Sequence, residues 1–210
     1  MDAKATIDFD SKARQWDSNP EFIERGRKTA AAICSRVALS GKMRALDVGC
    51  GTGLLSLPLA HILGHITCID TSAGMLDVLN EKLAAQGLTN LTTRLHDLAA
   101  DDLPGAGFDL IMSSMTLHHI EDTDAILAKL VAHLKPGGWL CLADLDREDG
   151  SFHGVDVKVH RGFEREALAE RVRCAGLVDV HFETVFVIRK EQNDGPRDYC
   201  VFLMTARKGD

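Results

Sequence analysis

Short apolar runs rich in β-branched residues alternate along the chain with longer stretches whose apolar positions recur every three or four residues. The first pattern marks a strand and the second an amphipathic helix, and their alternation predicts a parallel sheet with helices on both faces. A first helix is expected after Pro20, through "EFIERGRKTAAAICSRVAL", with Ile23, Ala30, Ile33, Cys34 and Val37 on its apolar side and Gly41 at its end. The strands read as "MRALDV", "ITCID", "LTTRLHD", "FDLIMSSM" and "WLCLADL". Between them fall a helix from about Gly53, the helix "AGMLDVLNEKLAAQ" closed by Gly87, and "TDAILAKLVAHL", which Asp122 or Thr123 would cap. The "KPGG" that follows should turn, with Pro136 at the second position and Gly137 at positive φ.

Residues 146–162 are polar, rich in histidine and charge, and without a period, so they read as a long loop over one end of the sheet. A helix "EREALAERVRCAG" comes next, and then two β-rich runs, "VDVHFETVFVI" and "YCVFLMTARK". Their linker, "RKEQNDGPRD", is short for a crossover helix and carries turn residues, so these strands should pair antiparallel. The expected fold is α/β: a doubly wound, mostly parallel seven-stranded sheet ending in an antiparallel hairpin.

Composition narrows the chemistry. A chain of 210 residues, 45% hydrophobic, fits one domain over 1–210. Within it we expect a helical cap at 1–40, a core at 41–145, the loop at 146–162, and a helix with the closing hairpin at 163–210. The net charge of −7 and the scattered basic residues argue against a broad nucleic-acid footprint and favour a small-molecule partner. The N-terminus is charged from its second residue, and no apolar run approaches the ~18 residues of a membrane helix. A soluble, cytoplasmic protein is expected. Six scattered cysteines without a CxxC pair read as reduced core residues, and no metal site is expected. The oligomeric state cannot be read from the sequence.

The stretch "RALDVGCGTGLLSLPL" runs an apolar strand into Gly49, Gly51 and Gly53. Glycines there can adopt backbone angles closed to other residues and let a ligand lie on the main chain, where an open α/β sheet binds its ligands. A dinucleotide loop would need a glycine at Leu54, so the spacing is GxGxG rather than GxGxxG. Asp70, at the end of the second strand, is placed to take a ribose diol.

"LDVGCGTG", "CIDTSAGML", "LHDLAADDLP", "FDLIMSSMTLHHIED" and "LKPGGWLCLADL", in that order over about residues 40–145, resemble the successive motifs of the class I S-adenosylmethionine (SAM) dependent methyltransferases. The likeness is to the small-molecule branch that includes ubiquinone and menaquinone C-methyltransferases. It implies a Rossmann-like fold, SAM as cofactor and S-adenosylhomocysteine (SAH) as product. By this resemblance Asp47 orders the loop and helps hold the methionine ammonium, Gly49, Gly51 and Gly53 meet the methionine moiety, and Asp70 holds the ribose. Met75 would stack on the adenine, Asp97 and Leu98 would read its edge, and Ser113 would touch the methionine end through its backbone. Cys50 and Thr71 belong to the same set, Cys50 also reading as a small filler. "FDSKARQWD" resembles the branch's opening and makes Trp16 the aromatic folded over the cofactor.

An activated methyl needs chiefly an aligned acceptor and excluded water, with a base when the acceptor is a phenol or alcohol. Candidate bases are His118, His119, His153 and His160, with a structural or pocket-lining role favoured for the first pair. His153, His160 and Arg161, in "FHGVDVKVHRGF", are expected on the acceptor side, Arg161 suiting an acidic acceptor. A non-catalytic SAM-binding or partner protein, methylation of protein or RNA, and a nicotinamide-dependent oxidoreductase remain alternatives. The segment after the fourth strand, "SSMTLH", lacks the Asp/Asn-Pro-Pro-aromatic motif of amino-methylating nucleic-acid enzymes.

Overall fold

A computed structural model of the chain describes residues 7–154 and 157–209. Parts of the expected cap and of the 146–162 loop, at residues 1–6 and 155–156, lie outside the described residues, as does residue 210. The strands are β1 (Arg44–Val48), β2 (His65–Asp70), β3 (Leu91–Leu95), β4 (Phe108–Ser114), β5 (Leu134–Leu145), β6 (Leu177–Gln192) and β7 (Gly195–Lys208). The helices are α1 (Ala13–Trp16), α2 (Pro20–Arg36), α3 (Ser56–Leu59), α4 (Ala73–Gln86), α5 (Thr123–His133) and α6 (Arg165–Cys174). One seven-stranded sheet has the order β3-β2-β1-β4-β5-β7-β6, with only β7 antiparallel to its neighbours.

This order follows from burial. The central strands are covered by helices on both faces, so β1 is buried from Ala45 to Val48 and reads as a continuous apolar run. In β4 the alternation sends Leu110 and Met112 into one core, with Ile33, Leu59 and Leu79, and Ile111 into the other, with Leu46, Leu127 and Phe202, which Phe108 joins across the register shift between it and Leu110. Helix ends obey local chemistry. The Ser72 hydroxyl accepts from Met75 N at the start of α4, Gly87 ends it at φ 64°, and Asp122 caps α5 through Ala125 N.

Several expectations need correction. The face of α2 that packs inward carries Arg25, Gly26, Thr29, Ala30 and Ile33, while Ile23 and Cys34 are exposed. The cause is a backbone contact: a Cβ at Gly26 would lie 2.5 Å from the Leu54 carbonyl oxygen, so the glycine sets how close α2 comes and which face it shows. The helix stops at Arg36, before Gly41. The helix expected from Gly53 shortens to the single turn of α3, which contains Pro58 and so lacks one backbone donor. "KPGG" lies inside β5 as an irregularity in its pairing with β4, Gly137 at φ 72°. The closing strands extend into their expected linker, where Gln192 pairs with Gly195 and leaves Asn193 and Asp194 as the turn.

Candidate functional site

Strand order reverses where β1 lies between β2 and β4, the position at which open α/β sheets bind ligands beyond their carboxyl ends. A cavity of about 910 Å³ opens there. Its walls come from the ends of β1, β2 and β4, the turn 117–119, the segment 7–19, α2, and residues Phe152, His153, Ile188 and Lys190.

The three loop glycines all have positive φ, but for different reasons. A Cβ at Gly49 would strike the Thr116 side chain at 2.3 Å, and one at Gly53 would strike Leu79 Cδ1 at 2.5 Å. At Gly51 it would meet nothing within 4 Å. Gly49 and Gly51 line the cavity, and Gly53 instead lets the loop pack on α4. Met115, a non-glycine residue at φ 57°, also lines the wall, held by its N–H on the Ala143 carbonyl at 2.8 Å.

Two acids converge below the loop. Asp47 is buried, accepts a short hydrogen bond from the Ser56 hydroxyl, and is pushed up to about 7 by its burial. Asp70 accepts from Gly51 N at 2.7 Å through one oxygen and from Ser72 N at 2.9 Å through the other. Burial raises its carboxyl while those N–H groups oppose the rise. A carboxylate has about four lone-pair directions, so acceptor capacity is left for a ligand. Cys50, Thr71, Met75, Asp97 and Leu98 also line the cavity. Asp97 accepts from Ala99 N at 2.9 Å, which holds its turn. Beside it His96 Nε2 is buried with no hydrogen-bond partner among the described residues, leaving a polar atom for a ligand edge. Ser113 does not reach the cavity: its hydroxyl turns to the Val48 carbonyl at 2.7 Å, and Ser114 takes the lining position.

The segment before α2 crosses this half of the cavity. Asp10 accepts from the Ser72 hydroxyl at 2.6 Å and from Gly74 N at 2.8 Å at the start of α4. Asp17 takes the Thr52 hydroxyl at 2.6 Å and pairs with Lys82, and Arg14 meets Glu81 at 2.6 Å. Trp16 lines the cavity between Phe9, 5.9 Å away, and Phe22, 4.7 Å away by ring centroids.

The other half is built around a buried acid on β5. Asp144 accepts from His118 Nδ1 at 2.6 Å and from the N–H of Leu145 at 2.7 Å. Burial alone would raise its carboxyl, but His118 and the backbone N–H groups of Leu145 and His118 hold it below its usual range. With the proton on Nδ1, the His118 Nε2 lone pair faces His153 Nε2 at 3.0 Å. Burial, reinforced by charge on His118, depresses His119 to about 3 and His153 to about 4. His119 and His153 are therefore both neutral near pH 7. The ring nitrogens of His118, His119 and His153 lie within 4.8 Å of one another, close enough for a cation, but Lys190 acts on His153 with the opposite preference.

His160 and Arg161 do not join the cavity. His160 Nε2 meets the Ile120 carbonyl at 2.8 Å and its N–H donates to the His118 carbonyl at 2.7 Å, so it braces the 117–119 turn from behind. Arg161 is exposed and lies against Gly150. Sequence reasoning missed Arg25, Lys190, His96 and Asp144. The signal for Asp144 was an acid inside the apolar run "WLCLADL", where only a paired carboxylate is tolerated. Arg25 had none, since a charged residue in a helix normally faces water.

Residues 45–138 match the family described as a methyltransferase domain. Over that stretch, a little under half of its length, the chain is similar to methyltransferases. An uncharacterised methyltransferase of Schizosaccharomyces pombe is 35% identical over 151 residues, 64% of this chain and 53% of the relative. A ubiquinone biosynthesis O-methyltransferase of Xanthomonas campestris is 37% identical over 122 residues, 57% of this chain and 50% of the relative. The matches thus span about half the length of these curated relatives. A SAM-dependent methyltransferase structure from Aquifex aeolicus superposes with a TM-score of 0.69 at 22% identity, covering 95% of this chain and 98% of that one, which bears on the fold. No helix among the described residues is long and apolar enough to cross a membrane.

Proposed function

We propose that the protein transfers the methyl group of SAM to a small-molecule acceptor carrying an ionisable proton, releasing SAH, and that Asp144 and His118 receive that proton. The observation that carries this reading is the buried Asp144–His118 pair opening onto the same cavity as the Gly49–Gly51 loop. Gly51 leaves open space where a side chain would intrude, Asp70 keeps lone pairs free, and His96 offers an unpaired nitrogen, so the residues present fit the cofactor. When bound, SAM supplies a methyl on a positively charged sulfur, which leaves as a neutral thioether.

The chain's own work is then placement and proton handling. Asp47 and Asp70 supply negative charge at the loop, and Trp16 with the segment above it excludes water from that half. In the other half, the acceptor's proton passes to His118 Nε2, directly or through His153, as the new bond to the methyl forms. His153 alone is too weak a base near neutral pH, and Asp144 holds the His118 ring with Nε2 turned toward it. A cavity roofed by residues 7–19 and by Phe152 and His153 supports a small acceptor over a folded macromolecule. All six cysteines are free, which supports a reducing, cytoplasmic setting.

The test incubates purified protein with methyl-labelled SAM and a fractionated cell extract, with Asp70→Ala as the blank. Label in the small-molecule fraction is expected. Label confined to protein or RNA would overturn the acceptor class, and SAM binding without label in any fraction would overturn catalysis in favour of a binding role.

A further inference from the structure

We propose that His118, His119 and His153 bind a divalent transition-metal ion of the zinc class, in competition with the acceptor's proton. The competition rests on the methyltransferase reading of the cavity, whereas the site itself does not. One ring nitrogen from each of the three histidines lies within 4.8 Å of the other two. A zinc ion takes imidazole nitrogens at about 2.0–2.1 Å in a tetrahedron, which sets them about 3.3 Å apart. The His118 and His153 Nε2 atoms, 3.0 Å apart, already sit at nearly that spacing. His119, its ring centroid 4.1 Å from that of His118 and 5.3 Å from that of His153, completes the set by a ring swing of about 1.5 Å or less. No hydrogen bond ties that ring among the described residues, so a nitrogen can turn inward.

The surroundings point to an ion rather than to a chance cluster. A histidine that binds metal characteristically donates its second ring N–H to a carboxylate, which fixes the tautomer and turns the lone pair on the ion. His118 is held in this way: Nδ1 faces Asp144 at 2.6 Å, and Nε2 is left as a lone pair toward His153. The ligands are positioned by the protein itself. Asp144 accepts from the His118 backbone N–H at 3.2 Å, and His160 braces the same turn from behind. Beside His153, the Phe152 N–H donates to Glu148 at 3.1 Å and the Phe152 carbonyl accepts from Lys190 at 2.8 Å. Lys190 opposes a cation at His153, but Glu148 offsets its charge and the Asp144 carboxylate lies directly behind His118. Three imidazoles with no carboxylate among the ligands suit zinc, cobalt or nickel rather than magnesium or calcium. Three protein ligands leave a fourth position open, here toward the cavity that all three histidines line. The ion would occupy the His118 Nε2 lone pair, which otherwise takes the acceptor's proton, so the loaded protein lacks its base.

The test titrates Co²⁺ and Zn²⁺ into chelator-stripped protein without SAM, following Co²⁺ by its visible absorption and Zn²⁺ by calorimetry. One ion per chain is expected, with the absorption of a tetrahedral nitrogen site and no thiolate charge-transfer band. Asp144→Asn should weaken binding roughly 10- to 100-fold, the effect of losing an outer carboxylate, and His119→Phe and His153→Leu should each weaken it at least as much. The two histidines are half-buried, which keeps the test decisive if Asp144→Asn does not fold. In the label assay, one equivalent of Zn²⁺ should slow labelling of the small-molecule fraction at least about tenfold, and a chelator should restore it. No binding, binding that survives both histidine substitutions, a thiolate band, or an undiminished labelling rate in the loaded protein would each overturn the proposal. Metal-free protein that labels nothing would instead count against the methyltransferase reading, because ion binding is read without SAM.

Discussion

Replacing Asp70 with Asn changes one atom and should cost the protein its cofactor affinity. The carboxylate accepts Gly51 N through one oxygen and Ser72 N through the other. An amide has a single oxygen, so its NH₂ group must point at one of those two N–H groups and leave a partly buried donor unsatisfied, a cost of about 1–3 kcal/mol. Toward the cavity, two charge-assisted bonds to a ribose diol would become at best one neutral acceptor and one donor, losing about 1.5–3 kcal/mol. Some of this is offset because burial already disfavours the charged acid. The unsatisfied N–H is common to free and bound protein and shows in stability, so affinity loses at most the second cost, about 1.5–3 kcal/mol, a roughly 10- to 150-fold weaker Kd. Calorimetric titration of SAH into wild type and Asp70→Asn measures it, alongside denaturant unfolding of both proteins without ligand. If the variant is destabilised but binds SAH within about threefold of wild type, Asp70 merely ties the loop to α4 and its ligand role is refuted.

Asp144→Asn should slow methyl transfer about 10²- to 10³-fold, because the His118 tautomer and ring orientation depend on the acid, while SAH affinity stays within about twofold; an unchanged rate in the label assay would remove the base from the mechanism. The glycines should separate: Gly51→Ala, with open space, should cost the free protein only about 1 kcal/mol of positive-φ strain and weaken SAH, whereas Gly49→Ala adds a collision with Thr116 and should destabilise more in denaturant melts. Stability should fall on acidification. His119 and His153, depressed to about 3 and about 4 from 6.5, are neutral when folded and protonated when unfolded, so each removes about 1.4 kcal/mol per pH unit as pH drops below 6.5. Asp47, raised to about 7, works in the opposite direction between 3.8 and 7, leaving a net loss of about 1.4 kcal/mol per unit from these three groups between pH 6.5 and 4. A His119→Phe variant whose unfolding free energy keeps the full acid slope would contradict this assignment.

How much was legible in the sequence depended on whether a residue's role was set by its neighbours in the chain or across the fold. The strand runs and the α4 and α5 ends were readable, because burial on two faces, Ser72, Gly87 and Asp122 act within a few residues. The inward face of α2 was not, since Gly26 counts for nothing in apolar periodicity yet determines the contact with Leu54. In the cofactor half, the order of motifs led to residues that do line the cavity, except that Ser113 turns to Val48 and Gly53 packs on Leu79. On the acceptor side the histidines were visible but their connection was not. Only folding brings Asp144 to His118 and His118 to His153, and only folding turns His160 into a brace and leaves Arg161 outside.

The segment that ties Asp10, Arg14 and Asp17 across the glycine loop also bears on timing. Its attachments are a few hydrogen bonds and half-exposed ion pairs, so it should peel away as a unit far more cheaply than the sheet unfolds. Each reaction cycle must exchange one spent nucleoside for a fresh one beneath it. The clock of the cycle would then be the lifting of this arm, and SAH would linger as its own inhibitor until the arm opens.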